Sequence, residues 1–357
     1  MHVALRRAEA FAATYGLRLP VLMAPMAGAN PVALAAAVVG AGGMGALGAL
    51  LLAPEAIVDW VARYRAAGGG PLQINLWVPD PPPHRDVAHE SALRDFLAGH
   101  GPPVPATAAD TPLPDFQAQC AALLATRPTA VSSIMGLYPP AFVAQFKAAG
   151  IAWFANVTTV AEARAAEAAG ADVIVAQGSE AGGHRGAFTA SAARDEAVGL
   201  FALLPQVVDA VKLPVVATGG VADARGVAAA LLLGASAVQP GTALLRCPEA
   251  GIAPAWARAL GSAAPEGTRL TRAFSGRWGR ALDTRYLRDA AAPGAPEPAP
   301  YPVQRGLTAT MRKAAEAAGD LQHMQAWCGQ AAGLSLAQPA GEVVQDLWKG
   351  GRELLGS

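Results

Sequence analysis

Val173-Ile174-Val175-Ala176-Gln177-Gly178-Ser179-Glu180-Ala181-Gly182-Gly183-His184-Arg185-Gly186 changes character at its middle. A largely β-branched apolar run gives way to a loop with four glycines and one histidine. A short apolar run closed by glycine reads as a strand buried on both faces of a parallel sheet. Glycine lets a backbone take positive φ and approach a ligand closely. Histidine exchanges protons near neutral pH. The stretch therefore predicts a strand that delivers a reactive loop.

The same alternation recurs on both sides of it. Residues 20–26, 45–50, 72–78, 130–135 and 151–156 read as strands one to five, and 214–217 and 235–239 as strands seven and eight. Helical periodicity runs over 31–39, 54–67, 140–149, 159–169, 200–211 and 223–233, with a further helix at 115–125. Thr159 with Glu162 three residues later reads as a capping box. Eight strand–helix units predict an α/β fold, a closed (β/α)8 TIM barrel rather than an open doubly wound sheet. In such a barrel the chemistry sits at the carboxyl ends of the strands, which gathers Met26, Asn75, His184, Gly219, Gly220, Gln239 and Thr242 about one mouth.

After residue 250 the alternation stops. Residues 271–288 are basic and aromatic, 293–302 form a proline-rich linker, and 307–318, 321–332 and 341–355 read as helices. The expected organisation is a barrel over residues 1–250 and a mostly helical cap over 251–357, with the last helices packed on the barrel. Residues 84–115 are proline-rich and partly helical, a long excursion from the barrel.

Composition narrows the function classes. The 357 residues are 53% hydrophobic and 15% charged, enough for a sizeable core. With 27 Lys and Arg against 27 Asp and Glu there is no basic surplus, so no nucleic-acid partner is expected. Cys120, Cys247 and Cys328 are scattered, which argues against a disulfide framework or zinc site and for a reducing, cytoplasmic setting. Residues 19–54 carry no charge, long enough to raise a membrane span. Pro20, Pro25, Pro31 and a glycine cluster break them into a buried β-α-β unit instead, and no membrane partner is expected. Residues 1–7 lead into no apolar signal core.

Two glycine turns are candidate phosphate cradles: Gly219-Gly220 after strand seven and Gly241-Thr242 after strand eight. Either alone is an ordinary turn; together, in consecutive loops, they point to a phosphate. Asn75 and Gln177 end strands three and six; they are either satisfied core amides or partners for a heterocycle edge with N–H and C=O groups. Phosphate on one side and amides on the other suit a flat phosphorylated cofactor such as FMN. His184 has no metal-ligand partner at a suitable spacing, and its glycine loop favours catalysis over packing. Arg185 reads equally as an anion site or a surface ion pair. No cysteine reads as a nucleophile: Cys120 and Cys328 lie on helix patterns and Cys247 adjoins Pro248.

The chain resembles the class I nitronate monooxygenases, formerly called 2-nitropropane dioxygenases. The resemblance rests on Ala24-Pro25-Met26-Ala27-Gly28, Gln73-Ile74-Asn75-Leu76-Trp77-Val78-Pro79, the His184 loop, Ala217-Thr218-Gly219-Gly220-Val221-Ala222-Asp223 and Gln239-Pro240-Gly241-Thr242. Later matches are Phe274-Ser275-Gly276-Arg277, Tyr301-Pro302 and Trp327-Cys328-Gly329-Gln330. The resemblance implies non-covalent FMN and no metal. It implies FMN contacts from Ala24, Pro25, Met26, Asn75, Gln177, Gly182, Gly183, Gly219, Gly220, Gln239, Gly241 and Thr242. His184 would be the catalytic base, and Tyr301 would line the substrate pocket. Ser179 and Cys328 depart from the family pattern without touching that chemistry.

The implied reaction is oxidation of alkyl nitronates, such as propionate 3-nitronate, or of nitroalkanes by O2 to a carbonyl compound and nitrite, a detoxifying activity of a monomer or homodimer. Arg185, Arg277 and Arg305 are unranked candidates for holding an anionic substrate. The alternatives on this reading are a flavin-dependent NAD(P)H reductase acting on enoyl-acyl carrier protein or quinone, and a flavin-free barrel binding a phosphate ligand.

Overall fold

The structure, a computed structural model, describes residues 2–356; Met1, where the amino-terminal reading begins, lies outside them. Seven parallel strands form one sheet: β1 Gly45–Gly48, β2 Leu72–Trp77, β3 Ala130–Ile134, β4 Ala152–Val157, β5 Val173–Gln177, then β7 Val215–Thr218 and β8 Ala237–Val238. The two-residue β6, Gly183–His184, lies in the loop between β5 and β7 and belongs to another sheet. The open edges of the large sheet, β1 and β8, meet across residues 21–22. Val21 bridges Val238 and Leu22 bridges Met44, both in parallel. The barrel thus closes, although the expected first strand over 20–26 shrinks to two bridges. Prolines at 20 and 25 have no N–H to give a ladder.

All seven strands carry buried or nearly buried residues throughout, as expected where helices cover one face and a filled interior the other. Inside, Leu22, Met44, Phe154, Val173 and Val216 form a plug together with Phe11. Phe11 belongs to helix Val3–Thr14, which the sequence reading lacks. The ring of Tyr15 stands edge-on to Phe154 at 5.0 Å. This helix stoppers the amino-terminal end of the barrel and leaves the carboxyl end for a site.

The outer helices begin where the caps predict. Asp115 accepts from Ala118 N at 2.8 Å and Asp223 from Gly226 N at 3.0 Å. Thr159 accepts from Glu162 N at 3.1 Å, but the Glu162 carboxylate does not complete the expected box. It takes Thr158 N and, through its other oxygen, Phe188 N, both at 2.6 Å. The capping residue thereby ties the far end of the His184 loop to a barrel helix.

A second core lies over the mouth. Leu93 and Leu97, from helix Val87–Ala98, pack with Phe274, Tyr286, Leu307 and Met311. The proline-rich excursion therefore supplies part of the cap's core. The cap also contains a hairpin, β9 Thr268–Thr271 and β10 Gly279–Leu282, and β10 pairs antiparallel with β6. The predicted helix over 321–332 is not formed. Its apolar residues fit a helical period, but the chain runs extended along β10: Leu282 N donates to Ala326 O at 3.0 Å and Cys328 N to Arg280 O at 3.2 Å. Cys328 is accordingly off any helix. The predicted helix over 307–318 starts earlier and breaks at Thr308 into Val303–Leu307 and Ala309–Ala318, with the Thr308 hydroxyl donating to Phe274 O at 2.7 Å. The last helix, Ala340–Leu354, returns to the barrel wall against helices Val32–Ala41 and Ala224–Leu232. Among the described residues no helix is long and apolar enough to cross a membrane.

Candidate active site

A cavity of about 440 Å³ opens at the carboxyl end of the barrel, under the cap. Strand pleating supplies its wall, since alternate side chains face one way. Gln73, Asn75 and Trp77 enter from β2, Val175 and Gln177 from β5, and Thr218 from β7. Ala24, Pro25 and Met26 line it after the closing bridges, Gln239 after β8, and Tyr301 from the cap. Gly182, Gly183 and His184 line it as well, as do both glycine turns. The structure thus brings every residue expected at the mouth to one cavity.

The two turns present uncommitted donors. Gly219 and Gly220 take φ of +100° and +74°, a left-handed pair that glycine adopts without strain. Among the described residues the N–H groups of Gly219, Gly220, Gly241 and Thr242 donate to no acceptor. Helix Ala224–Leu232 begins just beyond the first turn, adding the positive end of its dipole. Four free amides beside a helix amino terminus form an anion cradle.

The floor holds a different pattern. Gln73 donates to Met23 O at 2.9 Å and to Gln239 Oε1 at 3.0 Å, which leaves its own Oε1 buried without a partner. Asn156 Nδ2 is likewise buried and unpaired. Both residues line the cavity, and these two polar atoms are buried beside it. Asn75 Nδ2 is spent on Ser132, at 3.2 Å to the carbonyl and 3.0 Å to the hydroxyl. Gln177 turns toward its own loop. Its Nε2 donates to His184 O at 3.1 Å and its Oε1 accepts from Gly186 N at 2.8 Å. The sequence reading has this amide facing a cofactor; here it also sets the shape of the His184 loop.

His184 stands between two indoles, with ring centroids 4.7 Å from Trp77 and 4.9 Å from Trp327. Its Nε2 lies 2.7 Å from Ser275 Oγ. Burial, reinforced by the charges of Arg277 and Arg305, lowers its pKa from 6.5 to about 3, so the ring is neutral at physiological pH. Tyr301 stacks obliquely on Trp77 at 5.1 Å, and its hydroxyl is buried without a partner. Burial pushes the Tyr301 phenol up to about 12.

Close backbone approach explains two glycines. A Cβ on Gly182 would collide with the Cys328–Gly329 peptide, and one on Gly329 would lie 2.6 Å from Glu180 O. Gly329 N also donates to Thr242 Oγ1 at 2.9 Å. The segment 327–330 thus lies directly across both the His184 loop and the second cradle.

The basic residues separate cleanly. Arg277 is buried and makes a bidentate pair with Asp80, at 2.8 Å and 2.7 Å. Arg185 is buried, does not line the cavity and donates to Gln177 O at 2.9 Å, so it forms no surface ion pair. Arg312 lines the cavity but gives its N–H groups to Thr308, Gln325 and Arg305 O. Arg305 lines the cavity, and no hydrogen bond or ion pair engages its guanidinium among the described residues.

The family model described as nitronate monooxygenase matches residues 9–350. The chain belongs to the nitronate monooxygenase family. A nitronate monooxygenase of Paraburkholderia phytofirmans is 40% identical over 338 residues, covering 93% of this chain and 92% of the relative. The crystal structure of a nitroalkane oxidase from Streptomyces ansochromogenes superposes with a TM-score of 0.87 at 38% identity, covering 97% of this chain and 99% of that one. FabK from Thermotoga maritima is more distant, with a TM-score of 0.76 at 26% identity over 97% of each chain.

Among the lining residues to which the sequence reading gives no site role are Gln73, Trp77, Asn156, Ser275 and Trp327. Gln73 and Trp77 sit two residues either side of Asn75, where strand alternation would have found them. Asn156 ends a predicted strand, a polar residue at a carboxyl end. Ser275 and Trp327 lie in two of the motifs that carry the resemblance, but no role is read for them there, because only the folding of the cap over the mouth brings them to His184.

Proposed function

We propose that this chain binds FMN and oxidises alkyl nitronates or nitroalkanes with O2 to a carbonyl compound and nitrite. What carries the reading is His184, neutral and latched at one side of a cavity that also holds the cradle of four free amides. The residues fit the cofactor. The N–H groups of Gly219, Gly220, Gly241 and Thr242 would hold its phosphate, and the side chains of Gln73 and Asn156 would lie beside its ring. Ala24, Pro25, Met26, Asn75, Gln177, Gly182, Gly183 and Gln239 would supply the remaining walls. When bound, FMN supplies the electron acceptance and oxygen chemistry.

The chain's own residues do the rest. A ring that burial keeps neutral at physiological pH has a nitrogen free to accept a proton, and we assign His184 the acidic proton from the carbon of a neutral nitroalkane. With Nε2 held by Ser275, Nδ1 is the nitrogen left for that proton. This requires Nε2–H to donate to Ser275 Oγ, whose own hydrogen goes to Arg277 O at 3.2 Å. Trp77, Trp327 and Tyr301 give the substrate carbon an apolar enclosure that excludes water. All of these groups come from one chain, so the proposed site is complete in a monomer and in a homodimer. Cys120, Cys247 and Cys328 are buried free thiols, which suits a reducing, cytoplasmic setting.

The test is an aerobic assay of nitrite release and O2 uptake with propionate 3-nitronate, with and without NADH. Turnover independent of NADH is the expected result. Rapid anaerobic bleaching of the bound flavin by NADH or NADPH, without nitronate oxidation, would replace this reading with a reductase.

A further inference from the structure

We propose that Gln73 is a positioning residue that acts through Gln239, fixing that amide so that it presents an N–H, and not an oxygen, to the cofactor. The inference rests on the FMN reading above and adds to it a residue whose role is exerted through another.

The chain of bonds starts at a backbone carbonyl. Met23 O can only accept, so the atom of Gln73 that lies 2.9 Å from it is the nitrogen. The other hydrogen of that nitrogen goes to Gln239 at 3.0 Å, which requires Gln239 to accept with Oε1. Gln73 cannot turn round, because its Oε1 would then face the Met23 carbonyl, oxygen against oxygen. An amide has one oxygen and one nitrogen, so fixing the oxygen of Gln239 leaves Nε2 as the end it presents. That nitrogen donates to no acceptor among the described residues, and it is not among the buried atoms sealed away from any probe. Gln239 lines the cavity and is only 5% exposed, so the open side of its nitrogen is the cavity side.

The surrounding backbone holds the pair still. Gln73 is fully buried on β2, in register with Ala46 on one side and Ala130 on the other. Gln239 N donates to Ala217 O at 2.8 Å, and Gln239 O accepts from Thr218 Oγ1 at 2.8 Å. Asn75, two residues along β2 and on the same face, is set the opposite way. Its Nδ2 is spent on Ser132, at 3.2 Å and 3.0 Å, while its Oδ1 accepts nothing among the described residues and is left open. The floor thus offers one donor, from Gln239, and one acceptor, from Asn75. Without Gln73, Gln239 is free to turn its oxygen inward, and the floor then presents two oxygens. A heterocycle with N–H beside C=O needs one of each.

The experiment is a double-mutant cycle read by cofactor affinity. FMN is titrated into the apoproteins of wild type, Gln73→Met, Gln239→Met, the double variant and Gln239→Glu, and Kd is taken from the quenching of flavin fluorescence. Methionine keeps the length of either side chain and removes its hydrogen bonds. Gln73→Met should weaken FMN about 3- to 10-fold, the range for one neutral hydrogen bond, and Gln239→Met by a similar factor. The double variant should bind within about twofold of Gln239→Met, because Gln73 then has nothing left to orient. A residue that merely fills space gives losses that multiply. Gln239→Glu keeps an acceptor for Gln73 and puts an oxygen where the N–H stood, so it should weaken FMN more than Gln239→Met does; this arm reads the polarity of the floor even where Gln73→Met does not fold. Multiplying losses in the double variant, wild-type affinity in Gln73→Met, or wild-type affinity in Gln239→Glu would each overturn the proposal and leave the cofactor reading standing. Wild type that takes up no FMN would overturn both.

Discussion

Ser275 Oγ lies 2.7 Å from His184 Nε2, so a hydroxyl from the cap holds the imidazole delivered by the barrel. The same oxygen also accepts from Arg277 N at 3.3 Å, which pins the hydroxyl in turn. The two halves of the site meet at this bond, and β6 pairing with β10 keeps them in register. The latch fixes which ring nitrogen is free.

Ser275→Ala removes the latch and leaves the ring in place between its indoles. The expected outcome is a fall of about tenfold in kcat with neutral nitroalkanes, less than the roughly 10²-fold or more for losing a general base outright, because the ring itself remains. Flavin content should be unchanged. Steady-state rates beside the absorbance ratio of flavin to protein check both points; a loss of flavin instead would make Ser275 a structural residue of the cofactor site.

His184→Asn keeps a polar group of similar size and removes the base. We expect FMN to be retained and turnover of neutral nitroalkanes to fall about 10²- to 10⁴-fold. Pre-formed nitronates, which need no proton removed, should be affected much less. Unchanged nitroalkane turnover would take His184 out of the mechanism.

The depressed pKa of His184 fixes a pH profile. A base must be deprotonated to act, so its contribution is present above its pKa and lost as pH falls through it. With that value near 3 rather than 6.5, kcat/KM for nitroalkanes should show no inflection near pH 6.5. Stability follows the same sign. The unfolded chain binds a proton at this histidine below about pH 6.5 and the folded one does not, so this residue makes acid destabilising from there down toward 3. Thermal melts at pH 7.5 and 5.0 should show a smaller acid loss in His184→Asn than in wild type.

The barrel is legible in the sequence because its strands are short, apolar and punctuated by glycine, and its helices are capped by Asp115, Thr159 and Asp223. The glycine turns and His184 are legible for the same reason, since strand ends fix where a loop residue goes. The cap is less so. Residues 321–332 satisfy a helical period, yet their backbone is taken by the edge of β10, a contact made over more than 40 residues of separation. Ser275, Trp327 and the pairing of Arg277 with Asp80 depend on that same tertiary arrangement. Arg305 sits in no motif that a local reading can weigh; what distinguishes it is that its neighbours are already paired.

Asp80→Asn tests how the cap is held down. Arg277 is only 3% exposed at its side chain, and its partner Asp80 27%, so the substitution leaves a buried guanidinium short of its counter-charge. Destabilisation of about 3 kcal/mol is expected, the lower end for breaking a buried pair, because Asp80 is partly wet. Urea denaturation measures it. A change under about 1 kcal/mol would place the pair with ordinary surface bridges.

Gly241→Asp tests the cradle. Gly241 has φ −113° and ψ −74°, at the margin of the right-handed region and not in the positive-φ region that favours glycine. An added Cβ would lie 3.2 Å from Ala24 Cβ and 3.5 Å from Met26 Sδ, tight but free of backbone collision. The protein should therefore fold. The new carboxylate would stand among the free N–H groups of Gly219, Gly220 and Thr242, competing for them and repelling a phosphate. Purified Gly241→Asp should hold FMN at least about tenfold more weakly than wild type, a cost of about 1.4 kcal/mol. Gly241→Asn, with nearly the same steric demand and no charge, should lose much less. Titration of FMN into the two apoproteins gives the comparison, and equal retention in both variants would remove the phosphate from this turn.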